Sequence, residues 1–121
     1  MDSEFTERFD DEAIARLRRF GGDALLFEMI DLLAAGAPAR LAVARDAVAD
    51  GDAEAARGVL HSLKSSAGQM GALGVQGICE RAEHLAAQGD VRGVAALLPA
   101  LQTETEALLA RLAVIRRGNG G

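Results

Sequence analysis

The chain has 121 residues, a length that suits one domain with a single hydrophobic core. Half of the residues are apolar, but only 3% are aromatic and Trp and Tyr are absent, so the composition favours helices over β-sandwiches. The 18 acidic and 13 basic side chains give a net charge of −5, which argues against a nucleic-acid-binding protein. The shortage of aromatic side chains also removes base stacking as a binding mode.

Cys79 is the single cysteine, so an internal disulfide and a cysteine-based zinc cage are excluded. The acidic N-terminal stretch does not have the pattern of a signal peptide. No run of about 18 uncharged apolar residues is present, so we expect no membrane association. Together these features predict a cytoplasmic protein.

The first half of the chain predicts two helices of different length. Acidic residues 10–12 suit the start of a short helix that ends near Phe20, because Gly21 and Gly22 follow. Residues 23–50 repeat apolar side chains at helical spacing on two stripes. Pro38 lies within this pattern and predicts a kink or two nearly collinear helices. The main stripe contains Leu26, Ile30, Leu33, Ala37, Leu41, Ala44 and Val48, and the second contains Leu25, Met29, Leu32 and Val43.

The second half predicts three more helices, separated by short glycine-containing turns. They cover residues 53 to 69 or 70, 75–88 and about 91–116, the last with Pro99 inside its pattern. Short turns between long amphipathic helices predict an all-α fold, an antiparallel up-and-down four-helix bundle with a short additional N-terminal helix. We expect one domain over residues 1–121, with the bundle core at about 23–116 and loose ends at 1–9 and 118–121.

His61 is the best candidate for chemistry, because it lies away from the apolar face of its helix. At about 100° per residue, His61 is roughly 100° from Leu60, which is at the centre of the core face. The residues that share its polar face are Arg57, Gly58, Lys64, Ser65 and Gly68.

The neighbours of His61 suggest that another protein must reach it. Gly58 and Gly68 each cost a helix about 1 kcal/mol relative to Ala, and both would let a partner approach closely. Lys64 lies one turn after His61, within reach of an anion bound to the imidazole. An imidazole is also a good nucleophile near neutral pH. The alternative is an ordinary surface histidine beside incidental glycines, and Lys64 with the small residues favours the functional interpretation.

The pattern His61-x-Leu63-Lys64-x-Ser66-x-x-x-x-Gly71 resembles the signature of histidine-containing phosphotransfer (HPt) domains. Their usual run is His-x-x-Lys-Gly, followed by small residues and by a glycine ten positions after the histidine. The resemblance extends over about residues 23–115, from the Pro-interrupted helix to the turn at Gly89 and the last helix. The one departure is Ser65, where the family usually has glycine; Ser65 would either crowd the partner or donate a hydrogen bond to the phosphoryl group.

The resemblance implies that His61 accepts a phosphoryl group from phospho-aspartate of a receiver domain and passes it to another receiver domain. Lys64 matches the lysine that stabilises the phosphoryl group, and Gly71 matches the turn glycine. The implied partners are response-regulator receiver domains and a hybrid sensor histidine kinase. The family has no ATP site and binds no cofactor or metal of its own, since the receiver domain brings the Mg²⁺. The chain is then a phosphocarrier with no kinase activity, and we expect a monomer.

Four further interpretations accompany this one. The chain could be a non-catalytic bundle that binds a receiver or a kinase, or a piece of a larger sensor kinase. The pair Glu80 and His84 could hold a metal only with a third ligand, so a solvated face is the simpler interpretation. Finally, part of the second apolar stripe could emerge beside His61 as a docking patch, or lie under the front helix.

Overall fold

A computed structural model describes residues 8–118. Within these residues the fold is all-helical, without a strand, and has four helices. They are α1 (Asp11–Ala49), α2 (Ala53–Gln69), α3 (Leu73–Ala87) and α4 (Val91–Gly118). Each helix packs on the next one in sequence, and α1 also packs on α4. No helix of residues 8–118 is long and apolar enough to cross a membrane.

Short aspartate-capped turns define where three of the helices begin. The carboxylate of Asp10 accepts a hydrogen bond from the backbone N–H of Glu12, and Asp52 accepts one from Ala55. Asp90 accepts in the same way from the backbone N–H of Gly93. Each bond satisfies an amide that has no partner inside its own helix, as expected for aspartate before a helical pattern.

The interruptions of the helices differ from expectation at the prolines. Gly22 has non-helical dihedral angles (φ 73°, ψ −171°), so α1 breaks at the predicted glycine pair. Pro38 and Pro99 lie inside α1 and α4, and neither ends its helix. Of the two outcomes predicted at Pro38, the division into two helices is therefore wrong, because α1 is continuous there. A proline removes one backbone hydrogen bond, and the burial of Ala37 and Leu41 on either side of Pro38 holds the helix against the core.

The core is formed by the apolar stripes that the sequence predicts. The α2 face is buried throughout, and so is nearly all of the main α1 stripe. The second α1 stripe is not covered to the same extent: Leu25 and Met29 are half-buried, whereas Leu32 is 64% and Val43 50% exposed. The largest fully buried side chains are Leu26, Leu60, Leu63, Leu101, Leu108, Leu112, Val75 and Val94.

Gly71 lies where the N-terminal segment meets the turn between α2 and α3. The backbone N–H of Asp10 donates to the carbonyl oxygen of Gly71 at 2.7 Å, and Phe9 forms an isolated antiparallel bridge with Ala72. Arg8 and Phe9, predicted to be part of a loose end, are thus bound to the bundle, while residues 1–7 lie outside the described chain. At the other end, Gly118 is the last residue of α4, and residues 119–121 are outside the description.

Gly71→Ala should destabilise the fold by about 2 kcal/mol or more. Gly71 has a φ of 74°, and an added Cβ would lie 2.3 Å from the carbonyl oxygen of Asp10 and 2.9 Å from the Cβ of Ala13. Urea denaturation measures the loss. Gly77→Ala is the matched control, because Gly77 is inside α3 with open space around a Cβ; an equal effect of the two substitutions would contradict the structural role of Gly71.

Candidate functional site

The α2 helix presents His61 to solvent while its core face anchors the backbone. Leu60 and Leu63 are both 1% exposed, whereas the His61 side chain is 59% exposed. Because the neighbours on either side are fixed in the core, the position of the imidazole is set by a rigid helix rather than by a loop. The imidazole of His61 is therefore exposed, as its position on the helix predicts.

Glu83 of α3 joins His61 to Lys64. Its Oε2 lies 2.8 Å from Nδ1 of His61, and its Oε1 lies 2.8 Å from Nζ of Lys64. The second contact is an ion pair without the angles of a well-aligned hydrogen bond. The side chains of Lys64 and Glu83 are only 24% and 17% exposed, so the exposed imidazole stands at the rim of a half-buried ion pair.

The negative charge on Glu83 determines which ring nitrogen of neutral His61 carries the proton. Burial raises the pKa of Glu83, but the contacts with Lys64 and His61 lower it more, and the net pKa lies below its ordinary value. The same carboxylate raises the pKa of Lys64. An ionised carboxylate can only accept, so Nδ1 of His61 must be the donor. In the neutral ring the lone pair is then on Nε2, for which residues 8–118 provide no hydrogen-bond partner.

The other residues predicted around His61 differ in their surroundings. Arg57 pairs with Glu54 within α2, with 2.7 Å between Nη2 and Oε2. Ser65 is exposed, and Gly58 has no atom within 4 Å of an added Cβ, so both are open to a partner. At Gly68 an added Cβ would lie 2.9 Å from the side-chain nitrogen of Gln76, so its small size also serves the packing of α3.

A shallow groove of about 270 Å³ runs beside the Lys64–Glu83 pair. Glu80 and His84 line it, but no group of three or more His, Cys, Asp or Glu side chains within residues 8–118 is placed to hold a metal ion. Cys79 is fully buried, and burial raises the pKa of its thiol to about 12. The thiol is therefore a packing group rather than a nucleophile.

Glu83 is the site residue that the sequence did not reveal. It lies 22 positions after His61, on another helix, so only the packing of α3 on α2 brings the two together. One signal was available: Glu83 borders the buried stripe of α3 that contains Cys79 and Ala82. A carboxylate at such a border position faces a neighbouring helix and needs a partner there.

Comparisons with known proteins identify the family and the fold of the chain. The family model of the Hpt domain matches residues 28–111, more than half of the chain, and the chain belongs to this family. A solved structure with the same fold is the crystal structure of histidine-containing phosphotransfer protein B (HptB) from Pseudomonas aeruginosa PAO1. The TM-score is 0.86 at 26% sequence identity, over 91% of this chain and 95% of that chain. No curated protein sequence matches the chain significantly.

The fold and the family define a histidine phosphotransfer protein of a two-component phosphorelay. Such domains work with the receiver domains of response regulators. The expectation from the sequence is confirmed at this level.

Glu83→Gln should flatten the acid limb of the stability profile. Because the folded-state pKa of Glu83 is below the ordinary 4.5, its ionised form stabilises the fold above that pH, and this contribution is lost as the pH falls through the folded-state pKa. Between neutral pH and about pH 3, the wild type should lose more free energy of unfolding than the variant. Urea denaturation across this range measures the difference.

Glu80→Gln is the control, because this substitution removes an equal charge from an exposed residue of the same helix. It should leave the acid dependence close to that of the wild type. Parallel profiles for the wild type and Glu83→Gln would show that the carboxylate does not stabilise the fold.

Proposed function

We propose that His61 is the residue that carries the phosphoryl group, on its Nε2 atom. The observation that supports this most directly is the contact between Nδ1 and the Glu83 carboxylate at 2.8 Å. It occupies one ring nitrogen as a donor and leaves the other as a nucleophile on a side chain that is 59% exposed.

The transfer step needs no proton to move on this chain. The Nε2 lone pair attacks the phosphorus of the receiver's aspartyl phosphate, the N–P bond forms, and the P–O bond to the aspartate breaks. The aspartate leaves as a carboxylate with the electron pair of that bond. The ring keeps its Nδ1 proton and becomes positively charged, facing the carboxylate of Glu83. The reverse step, with a second receiver domain, completes the relay.

Lys64 is the group of this chain that neutralises the phosphoryl oxygens. It lies one helical turn after His61, and its ammonium group is already at the site, held by Glu83. Phosphoryl transfer passes through a loose transition state, in which positioning and charge stabilisation provide most of the catalysis. The receiver domain supplies the Mg²⁺ and the remaining positive charge.

The receiver docks on the face of α2 that bears Arg57, Gly58, Ser65 and Gly68 around His61. A groove of about 490 Å³ lies between α1 and α2, and Leu32, Ser66 and Gln69 help to line it. Leu32 is 64% exposed there, so the second apolar stripe of α1 supplies an apolar part of the surface. An apolar centre with a polar rim suits a transient complex.

The finer architecture and setting are part of the same proposal. His61 of α2 meets Glu83 late in α3, and Gly68 later in α2 lies beside Gln76 early in α3, which supports an antiparallel up-and-down arrangement. The break at Gly22 supports a separate short N-terminal helix. We infer one domain that acts as a monomer in the cytoplasm, with a hybrid sensor histidine kinase upstream; the acidic charge balance and the single cysteine support this setting.

His61→Ala should abolish phosphorylation while the helical fold is retained, because the side chain is outside the core. The protein is incubated with a phosphorylated receiver domain, and phosphate uptake is followed together with the far-UV circular dichroism. Uptake at the wild-type level would contradict the role of His61.

Lys64→Ala should slow phosphoryl transfer by about tenfold or more and shorten the life of the phosphorylated form, since a charge-assisted contact is lost. Rapid-quench kinetics with the same receiver domain measure the transfer rate. A wild-type rate and lifetime would exclude Lys64 from phosphoryl stabilisation.

Gly58→Ala should raise the stability of the free protein and slow phosphoryl transfer from a docked receiver domain. In the free protein a methyl group at residue 58 meets nothing within 4 Å, so the variant should gain up to about 1 kcal/mol of stability from helix propensity. On the docking face the same methyl group should slow transfer from a receiver domain severalfold. Gly77→Ala on α3 is the control that should gain stability without slowing transfer; unchanged transfer in Gly58→Ala would remove residue 58 from the interface.

The alternative is a bundle that binds a receiver or kinase without accepting phosphate. The presence of His61 and Lys64 side by side, each in contact with Glu83, favours a phosphate carrier, because a binding module needs neither group. Phosphate that is stable in base and labile in acid identifies a phosphoramidate on the chain. Tight receiver binding without such phosphate would support the binding module instead.

A further inference from the structure

Each cation beside His61 is already paired with a carboxylate. Lys64 lies 2.8 Å from Glu83, and Arg57 lies 2.7 Å from Glu54. Glu80 adds a further negative charge on the wall of the same groove. A site that stores a dianion would be expected to hold an excess of positive charge. Here the local charges are at best balanced before the phosphoryl group arrives.

Lys64 must therefore divide its contacts between Glu83 and a phosphoryl group on His61. It is the only lysine in the sequence, and the other Lys and Arg positions are all arginines. An ammonium group can turn from one anion to another, whereas the fork of an arginine binds one carboxylate in a fixed geometry. The poorly aligned contact between Nζ of Lys64 and Oε1 of Glu83 suits such an exchange.

Glu83 also acts on Nδ1, the ring nitrogen that does not carry the phosphoryl group. When the N–P bond breaks, its electron pair returns to Nε2. If Nδ1 still carries its proton, the leaving group is neutral imidazole; if not, the leaving group is an imidazolide anion, which departs far more slowly. The carboxylate 2.8 Å from Nδ1 keeps the proton on the phosphorylated ring.

We propose that Glu83 limits the lifetime of the phosphoryl group on His61, because it competes for Lys64 and retains the Nδ1 proton that the departing ring needs. Glu83 is thus a positioning residue that makes His61 a point of rapid transit rather than of storage. The inference rests on the proposed role of His61. In the departure step an oxygen of water or of a receiver aspartate forms a P–O bond, the N–P bond breaks with its electron pair returning to Nε2, and neutral imidazole is released. When water is the nucleophile, one of its protons passes to the solvent.

The pH dependence follows from the groups that surround the ring. The groove beside the Lys64–Glu83 pair is lined by Arg57 and Lys64 of α2 and by Glu80, Glu83 and His84 of α3. On α1, Arg40 contacts α2 beside His61, because its Nε donates to the hydroxyl of Ser62 at 2.9 Å. Among residues 8–118, Glu83 is the one residue with a polar contact to both His61 and Lys64, so a change at Glu83 should alter how the decay of the phosphorylated form depends on pH.

The test measures the decay of the phosphorylated full chain between about pH 5 and 9, a range that spans the titration of histidine. A low-molecular-weight phosphoramidate loads the wild type, Glu83→Gln and the control Glu80→Gln, and ³¹P NMR follows the loss of the N–P signal. Above neutral pH the Glu83→Gln phosphoprotein should live about threefold to tenfold longer, as expected when a charge-assisted contact becomes a neutral one. Its rate profile should shift to lower pH, and Glu80→Gln should follow the wild type within about twofold.

Glu83→Ala provides a second test if the amide substitution perturbs the fold, and thermal unfolding checks both variants. Decay of Glu83→Gln and Glu83→Ala with the wild-type rate and pH profile would overturn the inference, and so would a shorter lifetime. His61→Ala distinguishes this result from failure of the proposed function. If that variant takes up phosphate, His61 is not the carrier; if it does not, but the Glu83 variants decay like the wild type, only the role of Glu83 is lost.

Discussion

The site depends on one carboxylate that two side chains of the neighbouring helix share. Glu83 reaches from α3 to His61 with one oxygen and to Lys64 with the other, each over 2.8 Å. This arrangement requires the α2 and α3 backbones to be held at a fixed separation, because a shift of about 1 Å would break a hydrogen bond. The buried residues on the inner faces of α2 and α3, such as Leu60, Leu63 and Cys79, provide that fixed separation.

The same interaction explains how a small helical bundle can offer a nucleophile without a catalytic cleft. A half-buried, ionised carboxylate assigns the ring proton to Nδ1, and the exposed side of the imidazole keeps its lone pair. In the proposed mechanism, the aspartyl phosphate and the metal ion belong to the partner receiver domain. A histidine phosphotransfer protein therefore needs only a rigid, correctly protonated imidazole and a surface on which a receiver can dock.

The glycines around this site have different uses. Gly58 leaves open space on the outer face of α2, Gly68 admits Gln76 of α3, and Gly71 admits the carbonyl oxygen of Asp10 beside the turn. The last contact ties the N-terminal segment to the bundle close to the end of the histidine helix. The turn glycine of the family signature thus supports the fold rather than the phosphoryl group.

The all-helical fold, the acidic start of α1, the break at Gly22 and the face that carries His61 could be predicted from the sequence, because each depends on helical periodicity or on a local hydrogen bond. The sequence could not decide between a kinked helix and two collinear helices at Pro38, since the burial of Ala37 and Leu41, which outweighs one lost backbone bond, depends on tertiary packing.

The sequence by itself determined which histidine is exposed and which lysine lies one turn away, because both follow from spacing within one helix. Only the tertiary structure decided that Glu83 joins them, that Gly68 faces α3 while Gly58 faces solvent, and that Phe9 is bound at the α2–α3 turn. The reason is physical: contacts between helices depend on their separation and rotation, which the packing of the whole core sets.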